Sequence, residues 1–89
     1  VASDTDTPLQ FPCRFPIKAV GPADDDFAEH VRELVEKHTD PLPEEAIQSR
    51  DSRQGSFVSI TVTIEATSRA QLDAIYRELT ASDRVKFAL

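Results

Sequence analysis

Cys13, His30, His38 and the run Asp24-Asp25-Asp26 are the side chains of this sequence best suited to chemistry. Cys13 stands between Pro12 and Arg14. A neighbouring guanidinium makes a thiol more reactive, but a nucleophile also needs a base to take its proton. No histidine is close in sequence and no C-x-x-C pair exists, so Cys13 reads as a small packing residue. His30 and His38 are eight residues apart on one predicted helix. Two turns separate them by about 12 Å along the axis, too far for one ion, since helical zinc ligands recur at i, i+3 or i+4. No metal site is expected. The three aspartates lack a glycine-rich phosphate loop beside them and suit the positive end of a helix dipole. Only two glycines occur, and no nucleophile elbow, phosphate-loop or dinucleotide pattern is present. The chain is therefore expected not to be an enzyme and to need no cofactor.

Two residues remain as candidate contacts for a small ligand, Lys18 and Gly21. Gly21 falls where a strand gives way to a helix, a place where backbone N–H groups can meet an anion or carboxylate. The plainer reading is a turn that uses glycine's backbone freedom.

The elements that must position these residues follow from periodicity. Residues 1–10 are polar and unpatterned and read as a flexible N-terminal tail, with one domain over residues 11–89. A strand is expected over Arg14 to Val20, with Phe15, Ile17 and Ala19 on one face and Pro16, Lys18 and Val20 on the other. Pro16 suggests the strand start or a bulge, and Gly21-Pro22 its end. "ADDDFAEHVRELVEKH" carries an apolar stripe of Phe27, Val31, Leu34, Val35 and His38. Asp26 and Glu29 fit a helix cap and its box partner. Pro41 and Pro43 stop this helix, and the charged "EEAIQSRDSR" suits an edge strand. After a turn at Gln54-Gly55, "SFVSITVTIEA" alternates cleanly, with Val58, Ile60, Val62 and Ile64 on one face. A second helix follows, capped by Thr67 or Ser68, with Leu72, Ile75, Tyr76 and Leu79 as its stripe. "RVKFAL" is expected as a last strand with Val85, Phe87 and Leu89 on one face.

The order β-α-β-β-α-β and the right-handed crossover rule give an α+β, ferredoxin-like two-layer sandwich: an antiparallel sheet, first and third strands central, both helices on one face. The other face carries Lys18, Ser59, Thr61, Thr63 and Glu65, with Lys86 nearby. It reads as a solvated surface, with a contact face as the alternative.

The net charge of -6 is uneven: residues 1–45 hold eleven acids and four Lys/Arg, residues 46–89 five acids and six Lys/Arg. With no basic cluster, neither nucleic acid nor an anionic membrane is an expected partner. One cysteine gives no internal disulfide, no apolar run approaches a membrane span, and no secretory pattern opens the sequence, so a cytoplasmic location is expected. A core this small would gain from self-association, so a homodimer is a reasonable expectation.

"FPCRFPIKAVG" and "GSFVSITVTIEATSRAQLDAIYRELTASDRVKFAL" together resemble the YbeD-like family of small bacterial proteins of unknown function. The matching features, in order, are the Phe-Pro lead-in, Lys-x-x-Gly, and alternating Ser/Thr and Ile/Val residues followed by Ala-Thr. The resemblance covers about residues 10–89 and implies a ferredoxin-like fold similar to ACT regulatory domains. Such domains bind amino acids or other small effectors at the loop after the first strand, where Gly21 would be the matching position. The expected function is a stand-alone ACT-like regulatory module that binds a small effector or a partner protein; the alternative is an adaptor that pairs through a sheet edge.

Overall fold

The computed structural model describes residues 10–52 and 54–89. The expected tail, apart from Gln10, lies outside the described residues. Four strands, β1 (Cys13–Pro22), β2 (Ile47–Asp51), β3 (Phe57–Ala66) and β4 (Phe87–Ala88), form one sheet, with helices α1 (Phe27–Glu36) and α2 (Arg69–Thr80) between them in the chain. The sheet order is β2-β3-β1-β4, every neighbouring pair antiparallel. This is the ferredoxin-like sandwich anticipated, with its first and third strands central.

The period of two decides what the sheet buries. Ile17 and Ala19 of β1 and Val58, Ile60, Val62, Ile64 and Ala66 of β3 point inward and are nearly inaccessible. They meet Phe27, Val31 and Val35 of α1 and Leu72, Ile75 and Leu79 of α2 in one core. No charged or polar side chain is buried among the described residues, so the core has no polar group that needs a partner.

β1 is longer than expected at both ends and differs at Pro16. Pro16 lies inside the strand opposite Thr63, with no bulge. Lys18 N–H donates to the Leu89 carbonyl (3.1 Å) and Leu89 N–H to the Lys18 carbonyl (2.8 Å). Two residues earlier, the nitrogen of Pro16 faces the same way. A proline fits there because, among the described residues, no strand pairs with β1 on that side at Pro16. Gly21 and Pro22 do end the strand, but as its last two paired residues, opposite Val58 and Phe57.

α1 starts at Phe27 and ends at Glu36, so His38 lies just past it. Asp26 occupies the N-cap position but makes no side-chain cap hydrogen bond. Arg84 takes its carboxylate instead, at 2.6 Å, and a charge-assisted bond of that kind outcompetes a cap. Leaving α1, the Glu36 carboxylate accepts from Leu42 N–H at 2.7 Å and from Arg32 Nε at 3.1 Å. Arg32 Nη2 donates to the Leu42 carbonyl at 2.6 Å. Leu42 N–H first, and Arg32 second, hold the Glu36 carboxyl below its usual range. A single 3-10 turn, Glu44–Ala46, leads into β2, the charged edge strand.

The β2–β3 connection turns at Gly55, whose φ of 76° favours glycine. α2 is capped by Ser68, whose hydroxyl accepts from Gln71 N–H at 3.1 Å, while the Gln71 side chain accepts from Thr67 N–H at 2.7 Å. The last strand departs most from expectation. Val85 is buried, but it sits in the loop before β4. β4 then pairs Ala88 with Ala19 and Phe87 with Val20. Since Ala19 faces the core, Ala88 does too, and Phe87 is turned to the opposite side of the sheet.

Candidate functional site

The helices cover one face of the sheet; the other is open and its composition is set row by row across the strands. One row runs Phe87, Val20, Ser59, Arg50. The next runs Leu89, Lys18, Thr61, Gln48. Phe57 stands opposite Pro22 at one end, and Arg14 opposite Glu65 at the other. Apolar side chains therefore gather on the β4 side and polar or basic ones on the β2 side.

Two features separate this face from an ordinary solvated one. Among the described residues, Phe57, Phe87 and Leu89 are the large apolar side chains that stay exposed, at 38%, 51% and 65%, and all three are here. The face is also basic in a chain of net charge -6. It carries Arg14, Lys18 and Arg50 against Glu65 and, at its margin beside Gln48, Glu45. Lys86 reaches round to set its ammonium 5.4 Å from the centre of the Phe57 ring. An open polar hollow of about 310 Å³ lies on it, lined by Lys18, Gln48, Ser49, Arg50, Ser59 and Thr61.

The two sequence candidates are not brought together. Lys18 is exposed on the open face, whereas Gly21, three residues on, is buried on the helix side. A Cβ at Gly21 would lie 2.5 Å from the Arg84 carbonyl oxygen and 2.6 Å from Cε1 of Phe27. Glycine is required there by close packing rather than by a turn. The Arg84 guanidinium lies over that ring, 5.8 Å from its centre, and pairs with Asp24 at 3.6 Å as well as with Asp26. The start of α1 thus presents aspartates, with the Asp26 carboxyl held below its usual range by the Arg84 hydrogen bond and charge.

The remaining chemistry-bearing residues have structural partners. His30 Nε2 lies 2.8 Å from Ser82 Oγ and His38 Nε2 3.1 Å from Glu78 Oε2, so both tie α1 to the α2 side of the molecule. The His38 hydrogen bond is the main reason the Glu78 carboxyl is held low. Cys13 is half-buried at the margin of the core. Among the described residues no group of three His, Cys, Asp or Glu side chains could hold a metal ion, and no helix is long and apolar enough to cross a membrane. A larger cleft, about 930 Å³, opens between the loop after α1 and the ends of β1 and β3. Two of its polar groups are already engaged: Gln71 Nε2 donates to the His38 carbonyl at 2.8 Å and Thr39 Oγ1 to the Asp40 carbonyl at 2.9 Å. Its charges are of both signs and select no ligand.

Residues 6–89 match the family described as "Protein of unknown function (DUF493)". The chain belongs to this family. Its relatives include a UPF0250 protein of Chromobacterium violaceum, 45% identical over 81 residues and covering 91% of each chain. Another, from Ectopseudomonas mendocina, is 43% identical over 89 residues, covering 98% of this chain and 97% of the relative. The solution structure of protein HP0495 from H. pylori superposes with a TM-score of 0.76 at 21% identity, covering all of this chain and 94% of that one. That similarity carries the fold and nothing about activity. The YbeD-like resemblance and the ferredoxin-like fold are thereby both established.

Sequence reasoning missed Phe87, Leu89 and Arg50 as members of the open face. The signal for Arg50 was available: once Gly55 places the turn, the register puts Arg50 opposite the outward Ser59. For Phe87 the signal was Ala88, a side chain small enough to sit over Ala19 where Phe87 would not fit.

Proposed function

We propose that the protein is a non-catalytic binding module whose open sheet face recognises a partner protein. The observation that supports this reading is that the exposed large apolar side chains, Phe57, Phe87 and Leu89, share that one face. Scattered single apolar residues need no explanation, whereas a clustered set with a polar margin is typical of contact surfaces. The partner differs from the chain itself. A second copy's open face is basic as well, so it would bring Arg14, Lys18 and Arg50 little acidic complement. The regulatory role implied by the ACT-like resemblance then follows from partner binding rather than from a pocket beside Gly21.

The test is site-specific photo-crosslinking. A photoreactive residue in place of Phe87 is expected to give a discrete protein adduct in cells, and one in place of the exposed Glu33 on α1 none. Equal labelling from both positions, or none from position 87, would sink the proposal.

A further inference from the structure

We infer that the hollow between Lys18 and Arg50 is an anion subsite of this face, and that its occupant is a carboxylate from an acidic, apolar-flanked segment of the partner protein. The inference rests on the binding-module reading above and adds the chemistry of what is bound.

Three observations carry it. First, Lys18 and Arg50 are both exposed, and among the described residues neither has an acidic partner within ion-pair distance. Two arginines elsewhere, Arg32 and Arg84, are by contrast engaged, the first with Glu36 and the second with Asp24 and Asp26. Second, the register sets Lys18 beside Thr61 and Arg50 beside Ser59, so two hydroxyl donors stand between the two cations. With strands ~4.8 Å apart and residues ~3.3 Å apart along them, the two Cα atoms are about 12 Å apart. Two such long side chains can close on one carboxylate from either side. Asp51, next to Arg50 in sequence, has the opposite parity, and Glu65 is six residues from Ser59, roughly 20 Å along β3. Third, the apolar cluster adjoins the hollow. Val20 and Phe87 share a row with Ser59 and Arg50, so an acid in the hollow would lie about 5–10 Å from Val20. A strand offers that separation between an acidic and an apolar side chain at i and i+2, and a helix at i and i+3 or i+4.

The same charges could meet nucleic-acid phosphates, but the observations favour a protein. Single-stranded nucleic acid is held by stacking on open aromatic rings. Here the Phe57 ring already carries the Lys86 ammonium, Phe87 is left as a single open ring with no second one beside it to continue a stack, and Val20, Pro22 and Leu89 offer no flat surface. A polyanion crossing the face would also run out over the acidic body of a chain with net charge -6. A short acidic segment confined to the hollow would not.

The experiment is selection from a displayed random-peptide library on the full-length protein, followed by affinity measurement of the selected peptides on three variants. These are Lys18→Glu with Arg50→Glu, Phe87→Ser, and Glu33→Lys as a control, each first shown to keep the wild-type melting temperature within a few degrees. All four positions are exposed. The expected result is peptides enriched in Asp or Glu beside apolar residues. They should lose about tenfold or more in affinity on charge reversal, lose affinity on Phe87→Ser, and be unmoved by Glu33→Lys. Apolar peptides without acidic bias, indifferent to charge reversal but lost on Phe87→Ser, would overturn the anion subsite and leave the binding module standing. Failure to select any peptide sensitive to Phe87→Ser or to charge reversal would overturn both. Binding of a ten-residue oligouridylate that is abolished by charge reversal would overturn the choice of a protein partner.

Discussion

Gly21→Ala is the substitution whose sign is most informative. Gly21 has no positive φ, so a methyl group meets no backbone strain. On the unfolded chain alone, such a change would stabilise by about 0.4–1 kcal/mol by restricting the denatured state. The folded state opposes it: the new carbon would lie 2.5 Å from the Arg84 carbonyl oxygen and 2.6 Å from Cε1 of Phe27. One neighbour is backbone and the other a ring fully enclosed in the core, and overpacking of this kind costs about 1–3 kcal/mol. The steric effect wins, leaving a net loss of roughly 1–2 kcal/mol. At ~4–8 °C per kcal/mol for a domain of this size, the melting temperature should fall visibly. Urea titration of Gly21→Ala, Phe27→Leu and the double variant completes the cycle. Leucine has no atoms at the Cε1 and Cζ positions that crowd Gly21, so the double variant should be less destabilised than the two losses summed, by about 0.5–3 kcal/mol. A Gly21→Ala protein as stable as wild type, or strictly additive losses, would refute the close-packing account of this glycine.

Phe87→Ser should leave stability within about 0.5 kcal/mol of wild type, because the ring is half exposed and lies outside the core; a thermal melt checks this. Ser68→Ala should cost about 1 kcal/mol through loss of the α2 cap, measured by urea denaturation. The Asp26 carboxyl should titrate below the ordinary aspartate range by NMR and move up in Arg84→Met. Because its folded pKa is depressed, any stabilisation it adds is present above the unfolded value and fades as pH falls through the lowered one. Glu78 should behave likewise, its titration moving up in His38→Ala; an unmoved midpoint would mean the His38 contact is absent in solution.

β3 was fully legible because Val58, Ile60, Val62 and Ile64 alternate without interruption between polar residues, and one buried face follows directly from that period. The α2 start was legible for a similar reason: Ser68 and Gln71 have the spacing a cap requires. The misread positions are those where a distant residue overrides a local rule. Asp26 has the chemistry and place of a cap, yet a guanidinium 58 residues away captures it. Gly21 looks like a turn glycine, but what requires it is the Phe27 ring and a carbonyl near the far end of the chain. In "RVKFAL" the alternation of Val85, Phe87 and Leu89 was real as a pattern but was broken by the loop before β4, which buries Val85 and resets the parity. Of the candidate site, Lys18 and the Ser/Thr row were visible in sequence, while the apolar half depended on that reset. The pairing of Lys18 with Gly21 failed because three residues along a strand is an odd step, which places them on opposite sides.

Among the described residues β4 pairs with β1 only from Lys18 to Val20, and Pro16 stands where the next bond on that side would form. A strand offered to that border from another molecule would meet a ring carbon instead of an N–H and could not carry the ladder past it. The border therefore acts as a terminator against growth by stacking chains side by side, the route by which open sheets run into filaments. At high concentration this protein should remain clear of fibril formation along that border. A Pro16→Val variant, which restores the donor without touching the core, is the form in which such growth would first become visible.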